Sequence, residues 1–154
     1  MMIPMRRHKR AISSEAAYEL LHKGEYGILS TVNDNGQPYG VPLNYCVLND
    51  RVYFHCAADG HKLSNLNGNP KASFCVVGDT ELLPDKFSTK YESVIVFGIT
   101  NEVTGDEKQA ALEALIKKYS PNFHDEGLAY IKSSSSQTRL FGMSIDSITG
   151  KARR

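Results

Sequence analysis

Long apolar runs are missing from this sequence of 154 residues. No stretch approaches the roughly 18 apolar residues that cross a bilayer, and the charged N-terminus lacks the apolar segment of a signal peptide. Cysteine is also scarce, because Cys46, Cys56 and Cys75 are the only three and no CxxC spacing occurs. Each lies in a strand-like run, which favours reduced thiols in a core over disulfides or a metal site. We therefore expect a cytoplasmic protein with no structural metal and no membrane segment.

A surplus of one charge sign is missing as well. Lys and Arg total 18 against 17 Asp and Glu, so the formal net charge is +1. This balance provides no general field that would attract nucleic acid. Basic residues do cluster at 6–10 and 151–154, a pattern typical of solvated tails. No GxSxG, Walker A or Rossmann motif occurs, so neither nucleic-acid binding nor serine-nucleophile chemistry is expected.

The chain has the length of one domain, residues 1–154, and is long enough to bury a core. Hydrophobic periodicity predicts a helix at 15–23, a short helix after Gly60 and a helix capped by Asp106 that ends before Pro121. Segments 79–91 and 133–136 are interpreted as loops. Strands are predicted at 26–33, 39–48, 51–56, 71–77, 93–104 and 137–148. Tight hairpins favour an antiparallel sheet closed into a small barrel, of mainly β (α+β) class.

The most informative segment runs from His55 to Pro70. A strand-like run is followed by a turn at Gly60, and a short helix then begins with His61 and Lys62. Free N–H groups at a helix N-terminus, with an ammonium and an imidazole beside them, suit a phosphate group. Taken alone, the segment fits a charged turn before a solvated helix better than a binding site.

Two further residues suggest a ligand near this turn. Strand alternation places His55 on one face with Arg51 and Tyr53, away from the apolar set. A histidine there is either structural or functional. Pro42 interrupts the second strand and requires an edge, a bulge or a place where a ligand replaces the neighbouring strand. In the last case the backbone of residues 43–45 would be free to bond a planar heterocycle.

Five motifs occur in an order that resembles a known family. They are PLNY at 42–45, YFHCAADGHKLSNL at 53–66, KFSTKYESVIVFG at 86–98, KYSPNF at 118–123 and SITGKAR at 147–153. Together they resemble the FMN-binding split-barrel proteins related to pyridoxamine 5′-phosphate oxidase. Within that superfamily the pattern is most similar to the nitroimidazole-resistance branch. The likeness extends from about Tyr26 to Lys151.

The resemblance implies a six-stranded antiparallel split barrel with peripheral helices, which dimerises and holds FMN in clefts between the subunits. It implies that His61 and Lys62 bind the FMN phosphate, and that the backbone of the second strand forms hydrogen bonds with the isoalloxazine ring. Ser93 replaces a family glutamine that contacts the flavin. The cofactor-binding residues that it implies are Val41, Pro42, Leu43, Asn44, Tyr45, His55, Cys56, His61, Lys62 and Ser93.

The sequence departs from the oxidase itself. Gly40 and Tyr45 stand where the oxidases place basic residues, and the chain has no tryptophan, so vitamin B6 oxidation is not expected. We expect an FMN-dependent oxidoreductase that reduces a nitroimidazole or another nitro-aromatic, with His55 as the catalytic proton donor and Tyr45 and Tyr91 walling the substrate. The alternatives are a non-catalytic flavin carrier or sensor, a barrel that binds haem or a deazaflavin, and a stress protein acting through its dimer surface.

Overall fold

The computed structural model describes residues 3–57 and 59–154. These residues form four α-helices and nine β-strands. The helices are α1 (Ser14–Lys23), α2 (His61–Gly68), α3 (Gly105–Tyr119) and α4 (His124–Ser134). The strands are β1 (Gly27–Val32), β2 (Pro38–Leu43), β3 (Cys46–Leu48), β4 (Arg51–Cys56), β5 (Lys71–Val77), β6 (Glu81–Leu83), β7 (Ser88–Val103), β8 (Arg139–Ser144) and β9 (Ser147–Arg153).

The strands pair antiparallel in the order β2-β1-β5-β7-β8-β4-β3, and β6 and β9 also pair with β7. The 16-residue β7 is the shared strand, since it pairs with β9 through Phe97 and with β8 from Thr100. Among the described residues no pairing joins β2 to β3, so hydrogen bonds do not close the sheet into a ring. The antiparallel α+β class and the split barrel that the resemblance implies are confirmed. The described residues form nine strands instead of six, and the barrel is not closed as the hairpins alone had suggested.

Three of the strand differences have local causes. The predicted strand 39–48 breaks at Asn44 and Tyr45, where helix α3 takes over the backbone hydrogen bonds. The predicted strand 137–148 breaks between β8 and β9, where the Asp146 N–H donates to the Phe97 carbonyl at 2.9 Å. The segment 79–91 is not a loop, because β6 pairs with the start of β7 as a hairpin.

The helices show one confirmed cap and two errors. The sequence offers Ser13 or Ser14 as the cap of α1, and Ser13 is the cap, since its hydroxyl accepts the Ala16 N–H at 3.1 Å. Helix α3 begins two residues earlier than predicted and its N-cap is Thr104, so Asp106 is not the cap. The serine run is not a loop, since α4 extends to Ser134 and a 3₁₀ turn follows.

Two cores lie on opposite faces of β4. Val52 and Phe54 are fully buried in the main core, which α1 and the inner faces of β1, β5 and β7 complete. Tyr53 faces a second core of Leu112, Leu115, Ile131 and Leu140, formed with helices α3 and α4. Each large apolar side chain buried in this way contributes about 1.5–3 kcal/mol. Helices therefore cover this face of β4 at Tyr53, whereas His55 near the end of the strand stays exposed.

No α-helix in the described part of the chain combines the length and the apolar character needed to cross a bilayer. Nor do residues 3–57 and 59–154 bring three or more His, Cys, Asp or Glu side chains together as a metal-binding group.

Candidate functional site

The basic turn, residues 59–62, leads into helix α2. Gly60 is the N-cap with φ of 137°, a conformation that favours glycine, and no described side chain caps the helix. The first N–H groups of a helix have no partner within it, and α2 has no acidic residue in its first turn. The N-terminus of α2 therefore offers His61, Lys62 and free N–H groups to an anion, with Asp59 the one acidic side chain in the turn. Ala58, which belongs to the same predicted segment, lies outside the described residues.

The turn is held between β2 and β4 by its two basic side chains. The His61 ring stacks on Tyr39 of β2, with centroids 4.1 Å apart and planes 20° from parallel. The Lys62 Nζ donates to the His55 carbonyl of β4 at 3.3 Å and lies 5.9 Å from the Phe54 ring centroid. These contacts bring His61, Lys62 and His55 together. Sequence reasoning missed Tyr39, because no local pattern signals a contact between a strand residue and a turn 22 positions later.

The His55 side chain is exposed and borders a cavity between β4 and helices α3 and α4. The surrounding protein removes part of the water around the imidazole, and this desolvation lowers the pKa of His55 below its usual 6.5. The Lys62 cation lowers it further. The imidazole is therefore mostly neutral at pH 7 and carries one N–H donor and one acceptor nitrogen. Such a group can pass a proton to a product formed beside it.

The strand that carries Val41, Pro42 and Leu43 is an edge strand, as Pro42 requires. Val41 and Leu43 pack their side chains against the main core, whereas Pro42 is exposed. Asn44 is exposed and lines the same cavity as His55. The predicted segment thus presents a backbone edge, and its apolar side chains face inward.

Tyr45 is not available as predicted. Its side chain is fully buried, and its hydroxyl donates to the Leu21 carbonyl. Its N–H donates to the Tyr119 hydroxyl at 3.0 Å, and its carbonyl accepts from Lys118 and Tyr119, each at 3.1 Å. The prediction of a free backbone is therefore wrong at this residue, and so is that of a Tyr45 wall on the substrate side.

Lys118 reinforces this contact between α3 and the end of β2. Its Nζ lies 3.7 Å from the Tyr45 ring centroid, a cation–π contact. Burial lowers the pKa of Lys118 to about 8. A long side chain from α3 thus holds Tyr45 in the segment that follows β2.

Two other predicted residues lie elsewhere. Cys56 is buried in the main core, opposite His55 on β4, and burial raises the pKa of its thiol. Ser93 lies on β7, paired with Val77 and Lys151. β7 is three strands from β2 and two from β4, the strands that hold the turn, and strands are spaced about 4.8 Å apart, so Ser93 is not adjacent to the turn within one chain.

The two basic ends of the chain meet near Tyr91 and are not separate solvated tails. Ala11 forms an isolated bridge with Lys151, whose Nζ lies 5.8 Å from the Tyr91 ring centroid. The Arg10 guanidinium lowers the pKa of Tyr91, and Lys151 and Arg7 act in the same direction. Tyr91 therefore belongs to a cationic region on the same strand as Ser93.

Comparison with known proteins agrees with this architecture. The family model described as pyridoxamine 5′-phosphate oxidase matches residues 13–152, most of the chain. The chain belongs to this family. The resemblance noted in the sequence is thereby confirmed, and the oxidase family shares its fold with flavin-binding proteins. None of the curated proteins compared with the chain matches it.

Three solved structures illustrate the range of this oxidase-family fold. A candidate 5-nitroimidazole antibiotic resistance protein from Bacteroides thetaiotaomicron has 20% identity and a TM-score of 0.75, over 92% of this chain and 86% of its own. An FAD-binding protein from Mesorhizobium loti has 21% identity and a TM-score of 0.68, over 94% and 98%. The FAD and heme binding protein from Mycobacterium smegmatis has 21% identity and a TM-score of 0.82, over 94% and 74%. At these identities the likeness establishes the fold.

Proposed function

We propose that this protein is an FMN-dependent oxidoreductase that reduces a small electron-poor molecule such as a nitroimidazole or another nitro-aromatic. The observation that carries the proposal is the basic turn, with Lys62 and His61 at an uncapped helix N-terminus beside His55. The flavin-binding proteins that share the fold support a flavin cofactor.

The residues present fit an FMN phosphate and ring. Lys62 and His61 would hold the phosphate together with the first N–H groups of α2. The edge of β2 would lie along the isoalloxazine ring, since its free edge has backbone groups to offer. Pro38 and Pro42 have no N–H, so among the outward-facing positions of this strand Gly40 supplies the donor.

When bound, FMN supplies the electron transfer, and the protein supplies binding, orientation and proton handling. Lys62 neutralises the phosphate while also fixing the β4 backbone at His55. His55 would relay a proton to the reduced product: its acceptor nitrogen takes a proton from solvent as the N–H of the other nitrogen gives one up, so the ring stays neutral, and its exposed side chain gives solvent access. Tyr39 holds the His61 ring in place by stacking.

We propose further that two chains form a homodimer with the cofactor cleft at the interface. The outer face of β7 exposes Ile95, Phe97 and Ile99 at 38%, 48% and 48% of their surface, an apolar row typical of an interaction surface. Ser93 lies on this same face and would reach a cleft only from the partner chain. Sedimentation equilibrium should give twice the 17.1 kDa chain mass, and a monomer at micromolar concentration would contradict the proposal.

A reduction assay tests the activity. The purified protein should be yellow, bleach with NAD(P)H and regain its colour when a nitroimidazole is added. Replacing His55 by alanine should slow turnover more than it weakens FMN binding, because the imidazole moves a proton and does not hold the phosphate. Bleaching without reoxidation by any nitro-aromatic would instead identify a flavin carrier, and a colourless protein that takes up no FMN would refute the proposal.

The three free thiols support a cytoplasmic location. Cys46 and Cys56 are buried, Cys75 is half-buried, and none is in a disulfide. Free cysteines of this kind are typical of a reducing compartment.

A further inference from the structure

A cavity of about 220 Å³ lies between β4 and the facing sides of α3 and α4. We call it the α3–α4 cavity. Its apolar walls come from Leu112, Leu115, Ile116 and Ile131, which are side chains of the second core or packed against it. His55 and Asn44 line it from the side of the sheet. The cavity therefore joins an apolar interior to the imidazole of the candidate site.

The volume limits what the cavity can hold. An apolar protein cavity of about 150 Å³ binds benzene, so about 220 Å³ accommodates one aromatic ring with a small substituent. A tricyclic flavin ring is too large for it and would lie outside, along β2.

The lining also limits the charge of the occupant. The described residues that surround the cavity include no Asp, Glu, Lys or Arg side chain. A charged molecule would lose its hydration there without gaining an ionic partner, which is costly. The polar groups on offer are neutral hydrogen-bonding ones, among them the His55 imidazole and the Asn44 amide.

We propose that the α3–α4 cavity binds an uncharged monocyclic aromatic molecule whose polar substituent faces His55 and Asn44. The ring occupies the space between Leu112, Leu115 and Ile131, and the substituent meets the side chains from the sheet. The identification of this molecule as the electron acceptor rests on the proposed function. Its binding in the cavity is independent of that function.

Two neighbouring serines provide a matched test. The hydroxyls of Ser133 and Ser134 both donate to the Tyr130 carbonyl, at 3.0 Å and 2.6 Å. Ser134 lines the cavity, whereas Ser133 is exposed and does not. Ser134→Phe places a benzyl group in the cavity, while Ser133→Phe makes the same chemical change in solvent.

The probe is 2-methyl-5-nitroimidazole, titrated into flavin-free protein by isothermal calorimetry. We expect Ser134→Phe to weaken binding at least about tenfold, since the ring and the new side chain compete for one volume, and Ser133→Phe to change it less than about twofold. Equal weakening by both variants would overturn the proposal. FMN affinity, measured separately on each protein, reports on the proposed function alone.

A second measurement needs no variant and covers the case in which Ser134→Phe does not fold. Titration of the probe into the native protein should shift the methyl NMR signals of Leu112, Leu115 and Ile131 and the ring signals of His55. It should leave those of Leu82, which is 75% exposed on the distant β6, in place. If the cavity signals do not move with or without FMN, the cavity is not the binding site, whatever the flavin result.

Discussion

Replacing Lys62 by alanine should weaken FMN binding about ten- to a hundredfold, or about 1.5–3 kcal/mol, the scale of a hydrogen bond to a charged group. The ammonium lies at the N-terminus of α2 and is held 3.3 Å from the His55 carbonyl. The substitution therefore removes a positive charge that is already positioned for the phosphate. Quenching of flavin fluorescence at fixed ionic strength measures the affinity. Because salt screens the contact between an ammonium and a phosphate, the native affinity should also fall more steeply with salt than that of the variant.

Two controls separate charge from structure in this experiment. Lys62→Arg keeps the positive charge and should retain most of the affinity. Lys132→Ala removes an exposed lysine from α4, away from the turn, and should leave FMN binding unchanged. If Lys62→Ala also bound FMN as tightly as the native protein, the phosphate would have to dock elsewhere and the assignment of the basic turn would be wrong.

Replacing Gly98 by alanine should destabilise the fold by about 3 kcal/mol, near the upper range for overpacking. A Cβ on Gly98 would lie 1.7 Å from the Ser144 carbonyl oxygen, which belongs to backbone and has no flexible end to move. Gly98 sits where β7 changes partner from β9 to β8, and Ile99 donates its N–H to the Ser144 hydroxyl at 3.0 Å. The clash therefore separates the two halves of the split sheet.

Urea denaturation measures the free energy of unfolding of this variant. Gly40→Ala is the control, because its Cβ would meet only Ile28 and Ser30 at ordinary contact distances of 3.4 Å and 3.5 Å. It should change the unfolding free energy by less than about 0.5 kcal/mol. A Gly98→Ala protein as stable as the Gly40→Ala protein would mean that the close approach to Ser144 does not constrain β7.

Much of the fold was predictable because strands leave a strong local signature. Alternation in β4 sorted its side chains onto two faces, an Asn-Gly pair at Asn35 and Gly36 is typical of the hairpin between β1 and β2, and an edge was one of the positions that Pro42 allowed. Helix α4 was missed because its sequence contains Gly127 and two serines, which disfavour a helix. The structure supplies the reason for the glycine: a Cβ there would lie 2.5 Å from Ile116 of α3. The residue that weakens the local signal is thus the one that lets two helices pack.

The candidate site was predictable in its charges and not in its contacts. His61, Lys62 and His55 were found because a glycine turn and a strand pattern place them close together along the chain. The burial of Tyr45 depends on Lys118 and Tyr119, more than 70 positions away, and no periodicity within one strand encodes such a pair. The same holds for Tyr39, whose stacking partner lies on another element.

The free edge of β2 has a consequence beyond the binding of small molecules. An unpaired strand edge invites a strand of another molecule to add to it, which is a route to aggregation. Pro38 and Pro42 of this edge strand have no N–H and so cannot donate the hydrogen bonds that an incoming strand would need. The two prolines therefore discourage the growth of intermolecular β-structure along this side of the sheet.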